Sequence, residues 1–222
     1  MEQKMPFQAI RSHRRSISIE INSAGEVIVK APLLAPMFLI KRFVEQKKDW
    51  IQKHSEKRKT HVKKVKQYIE GEKFPYLGKE YSFHLGNFKE ISVDNNGRLN
   101  FPLALLFRAQ KELTNWYLKQ AKSLINERVK YHALKMNVDY GTITLSDTRS
   151  KWGTCTFHNN LQFSWRLIMA PIEVLDYVVI HELTHTKEKN HRFHFWSLVG
   201  LQTPAYKQHR KWVKTNGHQL II

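Results

Sequence analysis

Two histidines four residues apart inside an apolar run constrain this 222-residue chain more than any other feature. The run is Val178-Val179-Ile180-His181-Glu182-Leu183-Thr184-His185, and His191 follows six residues later. On a helix, residues four apart lie one turn above each other on the same face. His181 and His185 can therefore ligate one metal ion, while Glu182 points to the side where a metal-bound water would sit. Val174, Val178, His181 and His185 share an apolar stripe, which puts the histidines on the buried side of the helix rather than on solvated surface. Pro171 suits the first turn, and Asn190 as a left-handed residue would end the helix and swing His191 back as third ligand. His194 is the rival third ligand. A fourth position left open to water is the arrangement of a catalytic rather than a structural zinc site.

Three strand-like runs lead into this helix: Thr142-Ile143-Thr144-Leu145, Lys151-Trp152-Gly153-Thr154-Cys155 and Leu161-Gln162-Phe163-Ser164-Trp165, with a turn at His158-Asn159-Asn160. Trp152 either lines a substrate groove or fills the core, and Gly153 permits a close backbone approach or a bulge. Cys155, the sole cysteine, has no cysteine-protease signature around it and reads as a small buried residue. After His191, Phe193 to Val199 begins another helix, and Thr203-Pro204 opens a last basic helix that runs to Asn216-Gly217. Tyr206, His209 and Arg166 are candidates for stabilising an oxyanion.

The segments Ser150-Lys151-Trp152-Gly153-Thr154-Cys155, Trp165-Arg166-Leu167-Ile168-Met169-Ala170-Pro171, His181 to His185, Asn190-His191 and Phe195-Trp196 resemble the YgjP-like (DUF45) metallopeptidases, relatives of the Wss1-like and SprT-like zinc proteases. The resemblance is specific over about residues 140 to 200. It implies an α+β fold: a zincin-like catalytic domain of long helix, small antiparallel sheet and HExxH helix, with an N-terminal β-rich extension. It also implies one Zn²⁺ on His181, His185 and His191, with Glu182 as general base. An exposed strand edge near Trp152 and Gly153 would receive an extended peptide by backbone pairing. The chain departs from the family's usual pattern at Lys151, where Arg is common, at Thr154, where Ser is common, and at Thr186, where a larger apolar residue is common.

Upstream, residues 7 to 31 alternate, with Ile17, Ile19 and Ile21 before a turn at Ser23-Ala24-Gly25 and Val27 and Val29 after it, a β-hairpin. Arg11, His13, Arg14 and Arg15 either hold an anion or lie exposed. From Pro36 to about Thr60 the spacing of Phe38, Phe43, Val44, Trp50 and Ile51 predicts a helix packed by its aromatics. Residues 74 to 101 predict a small antiparallel sheet with turns at Tyr76 to Lys79 and Asn95-Asn96-Gly97. From Leu103 to Lys135, without proline or glycine, Leu113, Tyr117, Ala121, Leu124, Val129 and Ala133 mark a long core helix, on which His132 is structural. The expected division is an N-terminal region over 1–102 and a metallohydrolase domain over 103–222.

Composition narrows the partners. A net charge of +18 makes a polyanion or nucleic-acid contact through the basic surface reasonable, with the stretch Lys41 to Lys66 carrying eleven Lys or Arg against three acids. No apolar stretch of membrane-spanning length occurs and the start lacks a signal-peptide pattern, so a cytoplasmic protein without membrane contact is expected. One cysteine excludes an internal disulfide. Three functions compete: a zinc peptidase acting on peptides or proteins; a metal-dependent nucleotide phosphohydrolase (pyrophosphatase); and a nucleic-acid-associated metal-binding protein, which would need His194 or another fourth ligand. No Gly-rich phosphate cradle supports the second.

Overall fold

In the computed structural model, which describes residues 6–22, 25–53, 66–148, 151–217 and 220, the chain folds as two units, Met1–Val65 and Lys66–Ile222. In the smaller unit the expected hairpin joins β2 (Ser18–Ile21) to β3 (Val27–Pro32). Its turn residues Ser23 and Ala24 lie outside the described residues. The hairpin is not the whole sheet: β1 (Gln8–Ser12) adds parallel to β3 on its other side. Alternation turns Val27, Val29 and Ala31 inward, where they meet Ile40 and Val44 of α1 (Met37–Gln46) and Ile51.

Of the aromatics expected to pack this helix, Phe43 is half-buried while Phe38 and Trp50 are 66% and 43% exposed, because the inward positions go to Ile40 and Val44, one helical turn apart. α1 breaks at Lys47 and the chain is helical again over 48–53. The rest of the expected 36–60 helix lies outside the described residues. Arg11 donates from one guanidinium nitrogen to the carbonyls of Leu33 (2.6 Å) and Ala35 (2.8 Å), so it fastens the entry to α1.

In the larger unit, β4 (Lys73–Tyr76), β5 (Lys79–Gly86), β6 (Ser92–Val93) and β7 (Arg98–Pro102) form a sheet in the order β4-β5-β7-β6. It is mixed rather than antiparallel. β7 inserts between β5 and β6 and runs parallel to β5, a direction that alternation cannot reveal. Phe74, Phe83, Leu99 and Phe101 are fully buried in the same core as Leu113, Tyr117, Ala121, Ile125 and Val129 of α2 (Ala109–Met136). For that reason the structural boundary falls at residue 65 rather than 102. A 3₁₀ turn, Leu103–Arg108, replaces the expected start of the long helix. Ile125 rather than Leu124 occupies the buried stripe.

The second sheet is also mixed. β10 (Leu161–Ser164) lies between β8 (Ile143–Ser146), its parallel neighbour, and β9 (Gly153–Cys155), its antiparallel one, so the expected small antiparallel sheet is only half antiparallel. A 3₁₀ segment, Trp165–Met169, then leads to α3 (Ile172–Thr184), followed by α4 (Phe193–Gln202) and α5 (Tyr206–Asn216). The last helix opens two residues after Pro204 rather than on it. Together the elements make a mixed α/β protein with small mixed sheets. Among the described residues no helix is long and apolar enough to cross a membrane.

α3 is apolar on nearly every side, so it can only be a central helix. Two contacts fix it. At its start, Leu77 and Gly78 donate backbone N–H groups to the carbonyls of Ile168 (2.8 Å) and Met169 (3.1 Å). Gly78 is left-handed (φ +75°) and a Cβ there would lie 2.8 Å from the Pro171 Cα, so only glycine fits the turn. One turn further on, Arg128 of α2 makes a bidentate pair with Asp176, both bonds 2.6 Å, and His132 Nε2 stands 3.2 Å from the same carboxylate. Burial raises the Asp176 pKa, but hydrogen bonds from His132 and Arg128 outweigh it and hold the carboxyl below the usual carboxylate range.

Asp176→Ala should therefore cost about 2 kcal/mol of stability, less than a fully buried pair because both partners keep some exposure. With a lowered folded-state pKa, the Asp176 contribution is complete at neutral pH and disappears as pH falls through and below the ordinary carboxylate range. Denaturant titrations at pH 7 and pH 3 check both: the wild-type advantage over Asp176→Ala should shrink at the lower pH.

Candidate metal centre

α3 ends at Thr184, not at Asn190. Its last carbonyls are taken by a tightened turn, with His185 N–H bonding Glu182 O (3.2 Å) and Thr186 N–H bonding Leu183 O (3.0 Å), while the Thr184 and Thr186 hydroxyls donate to Ile180 O and Leu183 O. Asn190 is not left-handed. Its side-chain oxygen accepts the Arg192 N–H at 2.9 Å, and this turn, rather than a left-handed cap, brings the chain back. The expected consequence holds all the same: His191 returns to the helix.

The Nε2 of His191 lies 3.0 Å from that of His181 and 3.2 Å from that of His185, and the donor atoms of all three fall within 4.8 Å of one another. Three nitrogens held tetrahedrally about an ion at about 2.1 Å would stand about 3.4 Å apart, so small adjustments seat a dication. His185 donates through Nδ1 to the Glu188 carbonyl at 2.9 Å, which leaves its Nε2 lone pair facing the cluster. Trp196 Nε1 donates to the His191 carbonyl (3.0 Å), and Phe195 packs on all three imidazoles, with ring centres 4.5 to 4.8 Å away. His181 Nδ1 is buried with no hydrogen-bond partner among the described residues; packing rather than a hydrogen bond orients this ring. Burial, reinforced by the neighbouring His185, His191 and Arg210, pushes His181 down to about 3, and His185 is lowered chiefly by burial. Both rings are thus neutral and lone-pair-bearing, the state that binds a metal. His194 is exposed and outside the cluster.

Glu182 is 5% exposed, and burial pushes its carboxyl up to about 8. It borders a cavity of about 220 Å³ shared with His181, Gly153 and Trp152. The spacing of histidines does not reveal how Glu182 is accommodated. A Cβ at Gly153 would lie 2.6 Å from both Cγ and Oε1 of Glu182, so strand β9 has room for the carboxyl only because residue 153 lacks a side chain.

The remaining candidates divide. Trp152 is half-buried and both lines the cavity and packs on the core. Arg166 is buried, pairs with Asp147 and stacks on Trp165 with 4.3 Å to the ring centre; its bonding is structural and it does not line the cavity. Tyr206 stacks on Trp196 (5.4 Å), and His209 lies 6.2 Å from the Tyr177 ring, both outside the cavity lining. Cys155, expected buried, is half-buried, with its Sγ 3.9 Å from the Lys189 ammonium. Tyr177 and Val213, which the motif does not mark, line the cavity.

If the three imidazoles hold the ion, His191→Ala should abolish stoichiometric metal while leaving the circular dichroism spectrum unchanged, because His191 is the exposed member. His194→Ala should retain the metal. Elemental analysis of the purified variants reads the difference, and the reverse pattern would exchange the two assignments.

Comparison with family models matches residues 15–216 to the YgjP-like, metallopeptidase domain. Comparison with curated proteins and with solved structures finds no match. Spanning nearly the whole chain, the family match agrees with the three converging imidazoles, and the chain belongs to the YgjP-like metallopeptidase family.

Proposed function

We propose that this protein is a zinc-dependent peptidase with a zincin-like active site, in which His181, His185 and His191 hold the ion and Glu182 is the general base. The observation that carries the reading is the convergence of three imidazole Nε2 atoms next to a buried carboxyl that opens on the same cavity. Three imidazole donors suit zinc, and a three-ligand site leaves a coordination position for chemistry. When bound, zinc supplies Lewis acidity, acidifying water and polarising the scissile carbonyl.

The chain's own residues do the rest. A carboxyl oxygen of Glu182 takes the proton of the attacking water and returns it to the leaving amine. Burial alone pushes this carboxyl up to about 8; a dication on the neighbouring imidazoles would bring it back down and keep it ionised, as a base must be. β9 pairs with β10 along one side and is the edge strand of its sheet, next to Glu182 through Gly153. An extended peptide laid along the other side of β9 would bring a backbone carbonyl to the imidazole cluster with little demand on its side chains. Substrate is therefore a peptide or an unfolded stretch of protein.

Glu182→Gln should keep its metal and lose roughly 10²–10⁴-fold in kcat. Gly153→Ala should also keep metal and lose kcat, because the new methyl occupies the place of the carboxyl. Both are read by metal analysis alongside hydrolysis of a mixed peptide pool. Nucleoside triphosphates are tested in parallel, and Glu182-dependent phosphate or pyrophosphate release without peptide cleavage would replace the peptidase reading with nucleotide hydrolysis.

A further inference from the structure

The cavity beside Glu182 has walls from three parts of the larger unit: Lys151 and Trp152 ahead of β9, Tyr177 and Val178 on α3, and Val213 on α5. Trp152 is a fixed wall. A Cβ at Gly217 would lie 2.6 Å from its Cζ2 and 3.1 Å from its Nε1, so the end of α5 presses directly on the indole. Size and lining both limit what can enter. Pockets for drug-sized ligands measure about 300–1,000 Å³, and a cavity of about 220 Å³ suits a single side chain. Trp152, Tyr177, Val178 and Val213 give it aromatic and aliphatic walls; Lys151 is the one cationic residue of the lining, and Glu182 and His181 belong to the site already described. An aliphatic or aromatic side chain gains by leaving water here. A lysine or arginine side chain would meet the Lys151 charge and, in the loaded protein, the charge held by the imidazoles.

Resting on the peptidase reading above, we propose that this cavity is a specificity pocket for an uncharged, apolar side chain of the residue beside the scissile bond, with Val213 setting its depth and Lys151 its discrimination against cations. Val213 lies 28 residues beyond His185, on a helix that supplies none of the clustered imidazoles, so pocket depth can change without disturbing them.

The test uses the zinc-loaded full chain and a peptide library varied at single positions, with cleavage sites and kcat/KM read by mass spectrometry. The expected result is preference for Leu, Met or Phe over Lys or Arg at one position beside the cleaved bond, by roughly tenfold or more. Val213→Trp should lower the ratio of Leu to Ala at that position, Val213→Ala should move preference toward larger side chains, and Lys151→Glu should raise the ratio of Lys to Leu. These are ratios within one enzyme, so loss of overall rate does not obscure them. Cleavage without such a preference, or with one that none of the three variants alters, overturns the pocket. Absence of all peptide cleavage would instead count against the peptidase reading. In that case calorimetric titration of Glu182→Gln protein with capped pentapeptides bearing a central Leu or Lys decides the pocket separately. Tighter Leu binding that Val213→Trp removes supports it, and equal or undetectable binding of the two overturns it.

Discussion

A carboxyl on the buried face of a helix has to be held there without losing its access to chemistry, and the larger unit depends on how Glu182 meets that demand. Burial alone moves its proton affinity toward neutrality. The carboxyl stays in place because β9 passes Glu182 at a residue with no side chain and because α3 cannot rotate. Rotation is prevented by two contacts: the Gly78 turn grips the start of the helix, and the Arg128–Asp176 pair clamps it five residues before His181. Strand, turn and long helix therefore act on one dihedral freedom, the direction in which Glu182 and His181 face.

The imidazole cluster solves a separate problem. His181 and His185 come from helical spacing, but His191 arrives through a turn whose stability owes nothing to a metal: Asn190 accepts the Arg192 N–H, and Trp196 donates to the His191 carbonyl. Lys187 also ties the same loop to the end of α2 through the Met136 carbonyl (3.0 Å). The three donors are thus gathered in advance, so little backbone ordering is left to be done when an ion binds.

What was legible in the sequence follows from the range over which each signal acts. Residues four apart on a helix announce themselves, as His181 with His185 and Leu113, Tyr117 and Ala121 do, and a turn such as Asn95-Asn96-Gly97 carries its own chemistry. His132 was readable as structural, and it stands against Asp176. Strand direction was not readable, since side-chain alternation is the same for parallel and antiparallel partners; hence the mixed sheets at β5–β7 and β8–β10. Arg166 suggested an oxyanion partner by position alone, yet its charge is engaged by Asp147. Val213 and Gly153 matter through contacts 31 and 29 residues from Glu182, distances over which periodicity says nothing. The basic residues between 54 and 65 lie outside the described residues.

The central claim is that three histidines, and no sulfur, hold one zinc ion with a position to spare. X-ray absorption at the zinc edge of the loaded protein tests it most directly. The account predicts three imidazole nitrogens at about 2.0–2.1 Å and one further light-atom ligand that exchanges with solvent. A sulfur shell at about 2.3 Å, which would bring in Cys155, or a fourth imidazole closing the site would contradict it.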